Sequence, residues 1–143
     1  IILSGRRMND SMGDYVAMEV IRLMIKKDLQ VKGAKILIMG VTFKENCPDI
    51  RNSRVVDIIR VLEIFEAKVT ILDPYADPEE VKQSTGKVSV RSIQGVDKNY
   101  DAIILAVAHK PFVEVDLSKF KNEQSVIYDI KGIFRHEMID GGL

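Results

Sequence analysis

The sequence has no tryptophan, one cysteine and four prolines among its 143 residues, and its 21 basic side chains balance its 21 acidic ones. A single cysteine, Cys47, excludes a disulfide within the chain and a zinc site built from several cysteines, and it is typical of a reducing compartment. Because the net charge is zero, the composition does not indicate nucleic acid or an anionic membrane as a partner. We therefore expect a cytoplasmic protein whose functional positive charge is confined to a local site.

Long apolar runs are also missing. No stretch approaches the roughly 20 residues that a membrane-spanning helix needs, and the opening Ile1-Ile2-Leu3 is shorter than the apolar region of a signal peptide. The sequence begins without methionine, so we expect it to start inside a longer protein. With 46% hydrophobic and 29% charged residues, the composition is that of one globular domain.

The first segment, from about Met8 to Leu29, is predicted to form a long helix. Asn9–Ser11 offers candidate N-caps, and the pair Lys26-Lys27 lies in the last turn, where cations suit the helix dipole. The apolar residues of this segment form more than one stripe. The helix is therefore predicted to bury two faces, the second against a missing domain or a second subunit.

Beyond Gly33 the pattern changes to short apolar runs that alternate with amphipathic helices. The predicted strands are Lys35–Met39, Lys68–Leu72, Val88–Val90, Ala102–Val107 and Ser125–Ile130, and the predicted helices are Ser53–Ala67, Pro78–Lys82 and Phe134–Ile139. Strands that are apolar throughout are typical of a parallel sheet covered on both faces. We predict an α/β fold: a three-layer, Rossmann-like parallel sheet with helices on both faces, preceded by a long N-terminal helix.

The segment from Gly40 to Ser53 is the most informative part of the chain. Ligands of open parallel sheets bind beyond the carboxyl ends of the strands, and this strand-to-helix connection is longer than most. Gly40 allows a turn or a close approach to a ligand. Lys44 and Arg51 offer charged donors for a phosphate near the start of the next helix. These residues alone leave open whether the segment is a phosphate site or a loop with solvated charges.

Four other side chains follow strands or lie in this loop. Lys131 follows the last strand and is predicted to point to the same sheet edge as Lys44. His109 follows the preceding strand, where it would either face a ligand or cap a helix or strand end. No G-x-G-x-x-G follows the first strand, so Asp73 is interpreted as part of a turn rather than as a ribose-binding acid. Cys47 has no histidine in its loop, which favours a structural thiol over a nucleophile.

The segment Gly40–Ser53, G-V-T-F-K-E-N-C-P-D-I-R-N-S, resembles the "G-x-x-F-K … D-x-R-x-S" signature of the C-terminal domain of the UDP-glucose/GDP-mannose dehydrogenase family. Gly5–Asp10, Asp73–Tyr75 and Tyr128–Gly132 agree with the same family, so the resemblance spans essentially the whole chain. Together with A-V-A-H-K-P-F at Ala106–Phe112, the signature is most similar to the branch that acts on UDP-N-acetylhexosamines for bacterial surface polysaccharides.

The resemblance implies that the chain is the nucleotide-sugar (UDP)-binding domain of an NAD-dependent UDP-N-acetylhexosamine 6-dehydrogenase. Such oxidoreductases convert the C6 alcohol of the sugar to a carboxylate in two hydride transfers to NAD, through a thiohemiacetal on a cysteine. The family's NAD fingerprint and its catalytic cysteine, lysine and asparagine are not in this sequence. We therefore expect the isolated chain to be inactive, to hold no catalytic residue and no metal, and to leave NAD mainly to an N-terminal domain.

The resemblance also assigns binding residues. Phe43 would be an apolar wall for the UDP part of the substrate, and Lys44 would lie near its diphosphate. Lys131 falls where many relatives have an arginine on the diphosphate, and lysine keeps the charge but loses the bidentate fork. Arg51 matches an arginine that reaches across the interdomain cleft toward NAD.

The same resemblance divides the chain and names its partners. Residues 1–30 would be the end of the family's central helix, which forms the dimer core, and residues 31–143 would be the nucleotide-sugar domain. The implied partners are the UDP-sugar, the remaining domains of the enzyme and further copies in a homodimer or higher homo-oligomer. The alternatives are the same fold serving UDP-glucose or GDP-mannose, a non-redox module for a nucleotide or coenzyme A, and an oligomerisation piece.

Overall fold

A computed structural model describes residues 12–143. The helices are α1 (Met12–Lys26), α2 (Val55–Ile64) and α3 (Pro78–Thr85), and the strands are β1 (Lys35–Met39), β2 (Lys68–Leu72), β3 (Ser89–Val90), β4 (Tyr100–Leu105), β5 (Lys121–Asp129) and β6 (Gly141–Gly142). Short 3-10 helices lie at Ile93–Gly95, Lys110–Phe112, Leu117–Lys119 and His136–Met138. The N-caps predicted in Asn9–Ser11 and the motif at Gly5–Asp10 lie outside the described residues.

The six strands form one parallel sheet in the order β3-β2-β1-β4-β5-β6. Strand β1 lies inside it, where Leu37 is opposite Thr70 of β2 and Ile103 of β4. Its residues from Ile36 to Met39 are fully buried, because layers of chain cover both faces of the sheet. This double burial is the reason that β1 is apolar at consecutive positions and does not alternate with polar residues.

The two faces of the sheet are covered in different ways. Ile36 and Ile38 of β1 pack in one core with the buried sides of α1 and α2. Leu37 and Met39 pack in the opposite core, whose cover comes from the 3-10 helices and loops through residues such as Phe112. The predicted three-layer Rossmann-like sheet with a preceding helix is confirmed. The layer on the face of Leu37 and Met39 consists of short 3-10 helices and loops.

The strands β1 and β2 have the bounds predicted from the sequence, whereas the predicted closing helix Phe134–Ile139 is wrong. One 3-10 helix and strand β6 occupy that region. Asp140 pins it to the sheet edge, because its backbone N donates to Ile127 O and its carboxylate accepts from Ile127 N. A helix is also disfavoured by the glycines at Gly141–Gly142.

Helix α1 carries two apolar faces. One is buried in the core and includes Val20 and Met24, while the other exposes Tyr15, Met18 and Ile25, the last at 61% of its surface. The second apolar face predicted from the sequence is therefore present, and residues 12–143 leave it uncovered. Neither α1 nor any other helix in residues 12–143 is long and apolar enough to cross a membrane.

We predict that Gly40→Ala lowers the free energy of unfolding by about 2–4 kcal/mol, measured by urea denaturation. Gly40 has φ 96°, and an added Cβ would lie 2.6 Å from Val107 Cβ and 2.9 Å from Val107 N. The matched control is Gly33→Ala, because Gly33 has φ 78° but no atom of residues 12–143 within 4 Å of an added Cβ. Equal losses in the two variants would show that the close approach to Val107 is unimportant.

Candidate functional site

The loop between β1 and α2 leaves the sheet at its carboxyl edge and closes on itself. Gly40 N donates to Leu72 O at 2.9 Å, so the first residue of the loop still pairs with strand β2. Further along, Phe43 N donates to Asp49 O at 2.7 Å. Phe43 itself is 57% exposed and Lys44 is also exposed. The loop therefore has an ordered base and an exposed tip, which is formed by residues 43–45.

The buried carboxylate of Asp73, directly after β2, joins this loop to its neighbours. Its Oδ2 accepts from Val41 N at 2.8 Å and lies 3.0 Å from His109 Nε2. Its Oδ1 accepts from Tyr75 N at 2.8 Å and from Ala76 N at 2.9 Å. The turn predicted at Asp73 is confirmed, and the residue connects the segments that follow β1, β2 and β4.

The environment of Asp73 stabilises its charged form. Burial by itself raises the pKa of this carboxyl group. The hydrogen bond with His109 and the backbone donors of Val41, Ala76 and Tyr75 outweigh burial, and the net pKa lies below the usual value. Asp73 is therefore an acceptor for all four donors at neutral pH.

His109 is fully buried and anchors the loop. Its Nδ1 accepts from Asn46 N at 2.9 Å, and since a backbone N–H can only donate, the ring proton must be on Nε2. Nε2 lies 3.0 Å from Asp73 Oδ2 and 3.1 Å from Thr42 Oγ1. His109 precedes the 3-10 helix Lys110–Phe112, but its side chain makes no cap hydrogen bond there and instead bonds to the loop that follows β1. In a catalytic triad, the nucleophile and the acid contact different nitrogens of the histidine ring. Thr42 and Asp73 both contact Nε2, so Thr42, His109 and Asp73 do not form a triad.

A cleft of about 370 Å³ brings together Phe43 and Lys131. The starts of α1 and α2 and the segments after β1, β4 and β5 provide its walls. Asp129, buried at the end of β5, sets the position of Lys131, because its Oδ1 accepts from Lys131 N at 3.0 Å and from Gly132 N at 2.8 Å. Lys44 lies beside Phe43 at the exposed tip, outside this cleft. Of the three predicted substrate-binding residues, Phe43 and Lys131 therefore line the same cleft and Lys44 does not.

Arg51 lies in a different cleft, of about 870 Å³, which it lines with Asp49, Tyr75, Glu80 and other residues. Arg51 Nε and Nη2 donate to Asp49 Oδ1 and Oδ2 at 3.0 and 3.1 Å, and this side-chain hydrogen bond lowers the pKa of Asp49. The guanidinium side chain is 86% exposed. Phe43 and Lys131 do not line this cleft, so the structure places Arg51 apart from them.

The charges of the Arg51 cleft bear on what it can hold. Its lining contains two arginines, Arg51 and Arg91, and three carboxylates, Asp49, Asp77 and Glu80. This balance does not by itself favour a pyrophosphate.

Sequence reasoning missed several site residues. Gly13 and Arg54 line the Phe43 cleft, so the first helix and the start of α2 are part of its wall. Nothing in the local sequence of α1 indicates this, because the contact is tertiary.

Cys47 is a free, partly buried thiol. Within residues 12–143, no three His, Cys, Asp or Glu side chains are grouped as a metal site requires.

We predict that Asp73→Asn lowers the free energy of unfolding by about 2–4 kcal/mol at pH 7, since an amide nitrogen would face two of the four donors. The pKa of Asp73 is depressed in the folded state, so its contribution is complete above its unfolded pKa of about 3.9 and is lost as pH falls through the lower folded value. Urea denaturation should show the same gap at pH 7 and pH 5 and a narrower gap at pH 3.5. Asp28→Asn, at an exposed position, is the control and should show no such trend. A gap that stays constant down to pH 3.5 would contradict the assignment.

Comparison with known proteins identifies the family of the chain. Residues 37–136 match the model of the UDP-glucose/GDP-mannose dehydrogenase family, UDP binding domain. The chain is 45% identical to a UDP-N-acetyl-D-glucosamine 6-dehydrogenase of Salmonella typhi and 41% identical to one of Pseudomonas aeruginosa, over 98% of this chain and 33% of each relative. Its fold is similar to that of NDP-N-acetyl-D-galactosaminuronic acid dehydrogenase from Methanosarcina mazei Go1, with a TM-score of 0.82 at 19% identity, over 93% of this chain and 28% of that one. The chain spans about a third of the length of the curated relatives it matches, and it belongs to the UDP-glucose/GDP-mannose dehydrogenase family.

Proposed function

We propose that this chain is the UDP-binding part of an NAD-dependent UDP-N-acetylhexosamine 6-dehydrogenase of polysaccharide biosynthesis, located in the cytoplasm. The observation that carries the proposal is the shared cleft of Phe43 and Lys131 at the carboxyl edge of the sheet, in a domain whose family model is described as UDP binding. Relatives named for UDP-N-acetyl-D-glucosamine support an N-acetylhexosamine over UDP-glucose or GDP-mannose.

The proposed cleft has the chemistry that a nucleoside diphosphate requires. Phe43 offers an exposed aromatic face for the nucleoside, and Lys131 offers a positive charge for the diphosphate. Lys44 adds a second positive charge beside Phe43. Helix α2 begins at the wall of the cleft, so the positive end of its dipole adds to the attraction for an anion.

The proposed role is to hold the nucleotide so that the sugar reaches reacting groups elsewhere in the whole enzyme. Binding energy from a part of the substrate that does not react can orient the reacting carbon and lower the barrier of the chemical step. NAD, which accepts the hydride, is proposed to be bound mainly by another domain. Arg51 is proposed to contribute one contact to it, which is supported by its high exposure and by its separate cleft.

We predict that calorimetric titration of the chain shows UDP binding in preference to GDP and NAD. Lys44→Ala and Lys131→Ala should each weaken UDP binding by about fivefold, because each removes a charged hydrogen-bond donor worth roughly 1 kcal/mol at an exposed site.

Two further variants control this titration. Lys68→Ala removes an exposed lysine at the amino end of β2, on the opposite edge of the sheet, and Arg51→Ala removes the charge of the second cleft. Both should bind UDP as the unsubstituted chain does. A preference for GDP or NAD would contradict the proposed substrate, and equal losses in all four variants would contradict the proposed site.

We also propose that residues 1–30 are the end of a central helix whose outer face packs against a second copy, and that residues 31–143 are the nucleotide-sugar domain. The exposure of Tyr15, Met18 and Ile25 on α1 supports this division, because an apolar helix face is stabilised by burial.

We predict that the chain sediments as a dimer or larger oligomer and that Met18→Glu shifts it toward the monomer, since a buried charge opposes association. Ile64→Glu, at an exposed apolar residue near the end of α2, is the matched control and should leave sedimentation unchanged. Monomeric behaviour of the unsubstituted chain at all concentrations would contradict the assignment.

A further inference from the structure

We propose that His109 is a positioning residue for the substrate, because its imidazole holds both ends of the tip that carries Phe43 and Lys44. The proposal rests on the proposed function, in which this tip contacts UDP. It assigns His109 no contact with the substrate. Its effect on binding is transmitted through the loop.

The imidazole ring of His109 is fixed on all sides. It is fully buried, and Tyr75 contacts it edge-on with ring centroids 4.8 Å apart. On another side Phe112 lies 5.5 Å away. The backbone is fixed as well, because His109 N donates to Val107 O at 3.0 Å and His109 O accepts from Phe112 N at 2.9 Å. The ring therefore provides a rigid reference point.

The two ring nitrogens contact the chain on either side of the tip. Nε2 lies 3.1 Å from Oγ1 of Thr42, the residue before Phe43, and that hydroxyl group donates to Lys44 O at 2.9 Å. Nδ1 accepts from Asn46 N at 2.9 Å, after the tip. Asn46 is also held by its side chain, whose Oδ1 accepts from Lys110 N at 2.8 Å. One imidazole thus bridges the start and the end of the tip.

This bridge adds to the hydrogen bonds from Phe43 N to Asp49 O and from Lys110 N to Asn46 Oδ1, and it joins the start of the tip to its end. The side chains of Phe43 and Lys44 are exposed, and Asn46 has φ 58°, in the left-handed region. Ordering a residue of a free backbone costs about 1–2 kcal/mol. A loop that is ordered before binding avoids this cost when the ligand arrives, and the affinity is correspondingly higher.

Two substitutions separate the functions of the two ring nitrogens. In His109→Asn, the side-chain oxygen takes the place of Nδ1 and can accept from Asn46 N, but no donor replaces Nε2. In His109→Gln, the amide nitrogen takes the place of Nε2 and can donate to Asp73 and Thr42, but no acceptor replaces Nδ1. Both variants lose part of one buried network, so each serves as the control for the other.

The experiment combines amide hydrogen exchange with UDP titration of the chain, at a temperature where thermal unfolding shows both variants to be folded. We expect His109→Gln to speed exchange of the Asn46 amide at least tenfold while the Ile38 amide, in the centre of β1, stays protected. UDP affinity should fall by about fivefold in each variant, because each releases one end of the tip, whereas the faster exchange of the Asn46 amide should be confined to His109→Gln.

The results distinguish positioning from a purely structural role. Faster exchange at Asn46 and Ile38 by the same factor would overturn the proposal, because it would show general destabilisation. Unchanged exchange at Asn46 and unchanged UDP affinity in His109→Gln would overturn it as well. If the unsubstituted chain binds no UDP, the proposed function fails for this chain, while the exchange at Asn46 still decides whether His109 holds the tip.

Discussion

Three neighbouring strands, β1, β2 and β4, end at one edge of the sheet, and the chain after each must leave the ladder without burying unpaired N–H groups. The carboxylate of Asp73 meets this requirement by accepting from Val41 N, Tyr75 N, Ala76 N and the His109 ring. A neutral side chain of the same size has fewer acceptor positions, so a buried charge is stable here. Through Val41 N and the His109 ring, this one carboxylate stabilises the conformation of the candidate binding loop.

A second carboxylate repeats the arrangement at β5, which is separated from β2 by β1 and β4. Asp129, at the end of β5, accepts from the backbone N of Lys131, Gly132 and Phe134. Phe43 and Lys131, the exposed side chains of the candidate cleft, therefore each lie in a segment that a buried aspartate orders, Asp73 for Phe43 and Asp129 for Lys131. The backbone that carries Phe43 and Lys131 is thereby fixed in position, which favours binding of a flexible diphosphate.

Local sequence predicted the parts of the structure that depend on local chemistry. Strands β1 and β2 were predictable because double burial leaves continuous apolar runs. The rule that parallel strands end at one edge predicted Lys131 at the edge that carries Lys44, whereas Phe43 was assigned by the family resemblance. The burial of His109 was not predictable, because its partners Thr42, Asn46 and Asp73 lie far away in sequence. The predicted helix at Phe134–Ile139 failed for the same reason, since Asp140 pairs with β5.

The ion pair between Lys27, just after α1, and Asp140 has Nζ and Oδ1 2.7 Å apart and joins two distant parts of the chain. Lys27 Nζ also donates to Ser125 O at 3.0 Å. During synthesis on a ribosome, Lys27 emerges long before Asp140, so the end of α1 cannot reach its final attachment until nearly all of this sequence has been translated. Contacts of such long sequence separation form late and slow the folding of a domain. The attachment of α1 to the last part of the chain therefore forms later than its packing against α2, which lies nearer in sequence.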